Sequence, residues 1–431
     1  MSEEHQQLEE DKPNSRYEGS VITVLNLSLV TFLVLLGLSM VAPILPTYAE
    51  SFEVSYTLVG FVVSSFAVTR MVLDMPASLL SRRYDKKRIM VFGLILLSTS
   101  SILAGAAPNY LTLVIARMIE GAGSALYVTT ATVFLAQISG EEKRGQWMSL
   151  YMGMLLLGAI FGPTFGGVLT DFFDIHAPFF AYAIMTGLAI LPTLVLPKLT
   201  SSSAAPLEAR AIMNDMRAVL SNRSFLLVTF AVFTMFFLRT GIRSTLIPLF
   251  AANNLGFDAS QIGLVLTIGG ITTAVTITPM GSISDRIGRK IPLALCLIFS
   301  AGITLVIPFS TDLLTLSIVV AIYGAVIGLQ GPSAAYVTDL SPQDKLEISM
   351  GLYRTISDLG FVIGPLLLGF VADITATPVP GETHSGLIGM FPFVVASFIL
   401  ILAFFVLLKA DDPVKDKKHE DLEDEVEFIS V

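Results

Sequence analysis

Windows of 18 or more mostly apolar residues recur twelve times along this chain, near 21–43, 57–80, 89–107, 110–137, 148–170, 178–197, 224–250, 258–280, 291–309, 313–338, 348–372 and 386–408. Each is long enough to cross a bilayer as a helix. A helix also satisfies its own backbone hydrogen bonds, which lipid cannot do for it. The composition leaves little choice: at 53% hydrophobic and 14% charged residues, with a mean hydropathy of +0.75, a soluble domain of this length is excluded. The expected fold class is therefore all-α and integral to the membrane, with twelve transmembrane helices.

The basic residues orient these spans. With the amino terminus in the cytoplasm, the segments on that side hold 21 of the 26 Lys and Arg residues. The other five, Arg70, Arg117, Arg239, Arg243 and Arg354, lie inside spans, so the loops on the far side contain none. That distribution follows the positive-inside rule and predicts a multi-pass plasma-membrane protein with both termini cytoplasmic. The net charge of −9 says little about partners, because most acids sit in the two tails, which are expected to be solvated. The first apolar run follows about 20 polar residues and is too long for a signal-peptide core, so span 1 is expected to stay in the mature protein. A single cysteine, Cys296, excludes an internal disulfide and a cysteine metal site.

The longest polar interruption divides the spans six and six. The chain reads as a head (1–20), a first six-helix bundle (21–197), a linker (198–223) in which LEARAIMNDMRAVL has helical amphipathic spacing, a second bundle (224–408) and an acidic tail (409–431). The halves repeat. Pro43 matches Pro248 at an offset of 205, and Val59-Gly60 matches Ile262-Gly263 at 203. SLYMGMLLLGAIFGPTFGGVLTD (149–171) aligns with GLYRTISDLGFVIGPLLLGFVAD (351–373) at 202, matching Gly167 with Gly369 and Asp171 with Asp373. Parallel six-span repeats with a site between the halves are one way to build a transporter.

Three motifs carry a family resemblance. The loop GSISDRIGRK (281–290), with Asp285, Arg286, Gly288 and Arg289, resembles the gating loop of major facilitator transporters. The first-half counterpart ASLLSRRYDKK (77–87), which contains Arg82, departs from it with Ser81 in place of the acid and Tyr84 in place of the second glycine. RMIEGAGSA (117–125) resembles the family's RxxxGxGxA motif. GAIFGPTFGG (158–167) resembles the gxxxGPxxGG motif of its exporters and antiporters, with Gly158, Gly162 and Gly166 on one smooth helix face, Pro163 loosening the helix, and Gly167 completing the motif. The resemblance implies two pseudo-symmetric six-helix bundles in the major facilitator fold, with spans 3, 6, 9 and 12 peripheral. It also implies a monomer working by alternating access, close to the drug:proton antiporter branch.

Ionisable residues inside spans are costly, at least about 2.5 to 3.5 kcal/mol each if unpaired, so they should face a cavity or one another. They cluster as Arg70 with Asp74, Arg117 with Glu120, Arg239 with Arg243, and Arg354 with Asp358. The i, i+4 spacing lets Arg70 pair with Asp74 and Arg354 with Asp358 along their own helices. At about 1.5 Å per residue, Glu120 and Asp358 fall near the midplane, whereas Arg243 falls near the outer end of span 7, where snorkelling would solvate it. Span 1 carries no acid, so the proton-coupling candidates are Glu120 tuned by Arg117, then Asp358 with Arg354. Arg239, Tyr127, Asp74 and Arg70 are candidates for the substrate cavity, and Phe233, Phe236 and Phe237 are possible stacking surfaces. No histidine lies in a span, and no GxxxxGK[ST] loop is present to hydrolyse ATP. The reading is a secondary active transporter, not an enzyme, without metal, cofactor or nucleic-acid partner. It exports small lipophilic or amphipathic compounds in exchange for protons. The alternative is a carrier of a specific metabolite such as an organic anion, with Arg117, Arg239 and Arg354 as carboxylate partners, or a uniporter.

Overall fold

The computed structural model describes residues 21–139, 143–199, 209–378 and 386–414. The expected head (1–20), linker residues 200–208 and the tail beyond 414 lie outside them. Among the described residues, eleven helical segments are long and apolar enough to cross a membrane. A twelfth apolar helix, Phe391–Leu407, has 17 residues and reaches about 25 Å.

Span 1 is Val21–Val41, continued after a break at Pro43 by Leu45–Glu50. Spans 2 to 6 are Tyr56–Arg83, Lys86–Gly105, Tyr110–Ile138, Arg144–Phe172 and Ala177–Val195. Span 7 begins as Arg223–Leu238, widens into a π-helix over Arg239–Leu246 and ends as Ile247–Asn253. Spans 8 and 9 are Ala259–Ile287 and Lys290–Val306. Span 10 is Leu313–Gly328, interrupted before Pro332 and resumed as Ser333–Leu340. Spans 11 and 12 are Leu346–Thr375 and Phe391–Leu407. A short helix, Ala209–Leu220, precedes span 7, and its Asp215 lies 3.6 Å from Lys345 in the 10–11 connection.

Local chemistry starts these helices. Asn109 accepts from the Thr112 N–H at 2.9 Å, and Asp258 with Gln261 and Asp312 with Thr315 form reciprocal capping boxes. The backbone N–H of Thr315 holds the Asp312 carboxyl below the usual carboxylate range. Prolines recur at matched places, Pro163 with Pro365 and Pro76 with Pro279, each inside a helix.

Within the first half, span 1 packs on spans 5 and 6, span 4 on spans 2 and 3, and span 3 on span 6. The second half repeats the scheme: span 7 packs on 11 and 12, span 10 on 8 and 9, and span 9 on 12. The halves meet along two seams, span 2 against span 11 and span 5 against span 8. Large apolar side chains such as Ile184, Leu188, Leu191 and Val195 on span 6, or Phe398 and Phe405 on span 12, face outward, as lipid permits. Two buried tyrosines anchor their hydroxyls on backbone carbonyls: Tyr48 donates to that of Ala104 at 3.1 Å and Tyr336 to that of Asp411 at 2.6 Å.

Candidate functional site

A central cavity of about 280 Å³ lies between the bundles. Spans 1, 2, 4, 5, 7, 8 and 11 line it and the peripheral four do not. Its walls are largely apolar, with Leu35, Leu38, Val63, Phe66, Leu155 and Phe361 prominent. Arg70, Arg117, Arg239, Arg243 and Asp358 also face it.

The span 2 and span 11 charges are arranged differently from their spacing along each helix. Arg70 does reach Asp74, at 3.7 Å. The remaining pairs cross the seam: Arg70 lies 3.9 Å from Asp358, and Arg354 lies 3.5 Å from Asp74. The four residues thus form one quartet between the bundles, because spans 2 and 11 pack with these helix faces toward each other. Thr129 of span 4 donates to Asp74 at 2.9 Å.

Arg117 and Glu120 are bonded, with Nη1 donating to Oε2 at 2.5 Å, and both are almost fully buried. The Arg117 guanidinium sits 4.9 Å from the centre of the Phe66 ring. Arg117 lines the cavity and Glu120 does not, so the acid lies behind its arginine. Among the described residues, the second carboxylate oxygen of Glu120 and Nε of Arg117 have no hydrogen-bond partner.

Two expectations need correction. Tyr127 is not a cavity residue: it is 0% exposed and its hydroxyl shares a 2.8 Å hydrogen bond with Thr31, because it packs between spans 1 and 4 inside the first bundle. Arg243 does not snorkel to an end of span 7. That span extends to Asn253, leaving Arg243 ten residues short of its end, and the side chain lines the central cavity and donates to the Leu266 carbonyl at 3.2 Å. Of the stacking candidates, Phe237 is buried, while Phe236 meets Phe361 edge-on at 4.8 Å between ring centres.

The exporter-like motif of span 5 packs against span 1. A methyl group at Gly158 would strike the backbone at Phe32 and Leu36, one at Gly162 would strike Ser39 and the Leu36 carbonyl, and one at Gly166 would strike the Met40 carbonyl. Gly167 instead meets Ala259 across the seam with span 8. Both seams are tight toward the face where spans 2 and 8 begin. There Asp373 accepts from the N–H groups of Tyr56 and Thr57 at 2.6 and 2.8 Å and from the Thr57 hydroxyl. Asp171 accepts from the N–H groups of Ala259 and Ser260 at 3.2 and 2.9 Å. Asn253 adds a link between the halves by donating to Glu50 at 2.8 Å. Toward the other face, which carries the basic loops, Gly153, Gly281 and Gly351 look onto open space. The backbone contacts that tie the bundles together along the two seams therefore gather toward the first face.

In the 281–290 loop, Gly288 takes φ +97°, a left-handed conformation that suits glycine. Asp285 pairs with Arg289 at 2.5 Å. Arg289 also reaches Asp339 at 3.0 Å and Ser284 at 2.8 Å. The start of span 9 is capped by Asp412, which accepts from the N–H groups of Arg289 and Lys290. Arg286 is exposed, and the side chain of Arg82 lies outside the described residues. The sequence pattern did not mark Asp412, nor Thr164 and Thr267, whose hydroxyls share a 2.8 Å hydrogen bond across the seam of spans 5 and 8. The offset of 202 did pair Asp171 with Asp373 without showing what they hold.

Twelve apolar helices among the described residues, in two pseudo-symmetric bundles with a cavity between them, are the architecture of a membrane transporter. The Major Facilitator Superfamily model matches residues 27–250 and 229–430, and the chain belongs to that superfamily, whose members are transporters and not enzymes. An uncharacterized MFS-type transporter of Methanocaldococcus jannaschii is 27% identical over 80% of this chain and 90% of its own. Multidrug resistance protein 2 of Bacillus subtilis is 24% identical over 89% of this chain and 94% of its own, and the quinolone resistance protein NorA of Staphylococcus aureus is 23% identical over 80% and 88%. Among solved structures, a bacterial homolog of the human lysosomal transporter Spinster, inward-facing and unoccupied, superposes with a TM-score of 0.76 at 15% identity, covering 92% of this chain and 98% of that one. The fold resembles it; the sequences are far apart.

Proposed function

We propose that this protein is a secondary active exporter of small amphipathic compounds, coupled to proton entry. The observation that carries the proposal is the central cavity between two bundles whose seams are latched at one face by reciprocal helix capping. Rocking of the two bundles about the cavity would expose it to each side in turn. The basic loops support an orientation with their own face and both termini in the cytoplasm, in the plasma membrane. The multidrug relatives and the Gly158–Gly162–Gly166 face support export, and the protein is read as a monomer.

Asp358 is the better candidate for the proton site. It faces the cavity and is held by Arg70 across the seam, so a proton arriving there would loosen one tie between the bundles. Glu120 is shut behind Arg117 and is read as a structural partner of that arginine. The test uses the wild-type protein in proteoliposomes with only a pH difference imposed and a cationic dye, a quinolone and an aryl carboxylate as probes. Accumulation of any one against its gradient, collapsed by a protonophore, supports the proposal. Accumulation of none, with exchange intact, would make the protein a uniporter or exchanger.

A further inference from the structure

The intramembrane arginines do not all have acids to meet them. Arg70, Arg117, Arg239, Arg243 and Arg354 are answered by three carboxylates, Asp74, Glu120 and Asp358. Arg117 is taken by Glu120, Arg70 by Asp74 and Asp358, and Arg354 by Asp74. Among the described residues, Arg239 and Arg243 have no carboxylate within ion-pair distance, and both face the cavity. Arg243 has one neutral acceptor, the Leu266 carbonyl, and Arg239 has the Phe361 ring 5.9 Å away.

We propose that these two arginines receive the negatively charged head of an amphipathic organic anion, a carboxylate or a phosphate monoester. The inference rests on reading the cavity as the transport site and names the substrate class for it. Span 7 builds the receptor by widening into a π-helix over Arg239–Leu246, a rare and energetically poorer turn found mostly at functional sites. The wide turn brings Arg239, Thr240, Arg243 and Ser244 onto the cavity wall together. Gly241, on the same turn, lets Gly364 and Leu368 of span 11 pack close behind it. A guanidinium offers a planar fork of donors that fits the paired oxygens of a carboxylate or phosphate, and the hydroxyls beside it add further donors. Facing this group, Leu35, Leu38, Phe66 and Leu155 offer the apolar surface that the body of such a molecule needs. Arg70 and Arg117, the other arginines that line the cavity, are already met by acids, which leaves span 7 to supply the charge.

The test compares probes of one shape and different charge: 1-naphthoate and 1-naphthyl phosphate against 1-naphthamide and 1-naphthylmethylammonium. Binding is measured on the purified full-length protein in nanodiscs. The expected result is that at least one anion binds tenfold or more tighter than both the amide and the cation. Arg239→Gln and Arg243→Gln should each remove most of that preference, and Arg239→Lys should retain part of it. Wild-type protein that binds neither anion ahead of the amide and the cation overturns the proposal without reference to any variant. So do glutamine variants that keep the full preference. Counterflow in proteoliposomes separates the two readings. An anion preference in binding without exchange would sink the transport reading and leave this one standing. Exchange of the cation or the amide in preference to the anions would do the reverse.

Discussion

The two seams between the bundles share a packing plan and differ in their chemistry. At the latched face, Asp373 caps the start of span 2 and Asp171 caps the start of span 8. One turn further in, Gly60 presses on the Pro365 carbonyl and Gly263 on that of Pro163. Deeper still, Ser64 donates to the Val362 carbonyl at 2.7 Å and Thr267 to that of Ile160 at 3.0 Å. Then the repeat stops matching. Where spans 2 and 11 place Arg70, Asp74, Arg354 and Asp358, the corresponding positions of spans 8 and 5 are Thr273, Ile277, Met152 and Leu156. The duplicated part is the part a rocking interface needs: close backbone approach and a latch that can open. The charges, present on one side only, are free to do something else.

The comparison is broken first by crowding. Gly60→Leu and Gly263→Leu should each abolish transport while membrane insertion stays near normal, because each drives a side chain into the opposite backbone at the tight end of its seam. A large difference between the two, in proteoliposome exchange, would mean the seams are not mechanically equivalent. The latches come next. Asp373→Asn and Asp171→Asn remove charge-assisted hydrogen bonds worth about 1.5 to 3 kcal/mol when well formed, and partial exposure should leave about 1 to 2 kcal/mol of that effect. Both should raise the population open at the latched face by roughly tenfold, with Asp373→Asn the larger because it also loses the Thr57 hydroxyl. Reactivity of single cysteines near Ser55 and Asp258 toward an impermeant thiol reagent measures this, and unchanged labelling in both variants would remove the aspartates from the closed state. The smallest effect belongs to Ser64→Ala and Thr267→Val, about 1 kcal/mol each. Transport within twofold of wild type is expected for both, and a severe loss in either would give that hydroxyl a role beyond packing.

Much of this was legible in the sequence, for identifiable reasons. Lipid demands unbroken apolar helices, so the spans announce themselves, and Gly158, Gly162 and Gly166 announce a close helix contact because nothing but a neighbour explains three aligned glycines. Spacing along one helix, however, says nothing of which faces meet between helices far apart in the chain. That is why Arg354 was matched with its own helix's Asp358 when packing gives it Asp74, and why Tyr127 read as a cavity residue when it faces Thr31. Arg243 was misplaced for a different reason. An apolar window ending at 250 hid the full length of span 7 and the wide turn that carries Arg239 and Arg243 to the cavity wall.

The charged seam is held to be where proton movement is coupled to rocking, and Asp358 tests that most directly. A pH difference of one unit offers about 1.4 kcal/mol per proton, enough for tenfold accumulation of an exchanged substrate. Asp358→Asn fixes the side chain in a neutral form resembling the protonated acid. In proteoliposomes carrying any probe that the wild-type protein accumulates, the variant should keep counterflow exchange and lose all accumulation driven by the pH difference alone. If it still concentrates the probe as the wild-type protein does, the charged seam is not the coupling site, and the difference between the two seams has no part in energy transfer.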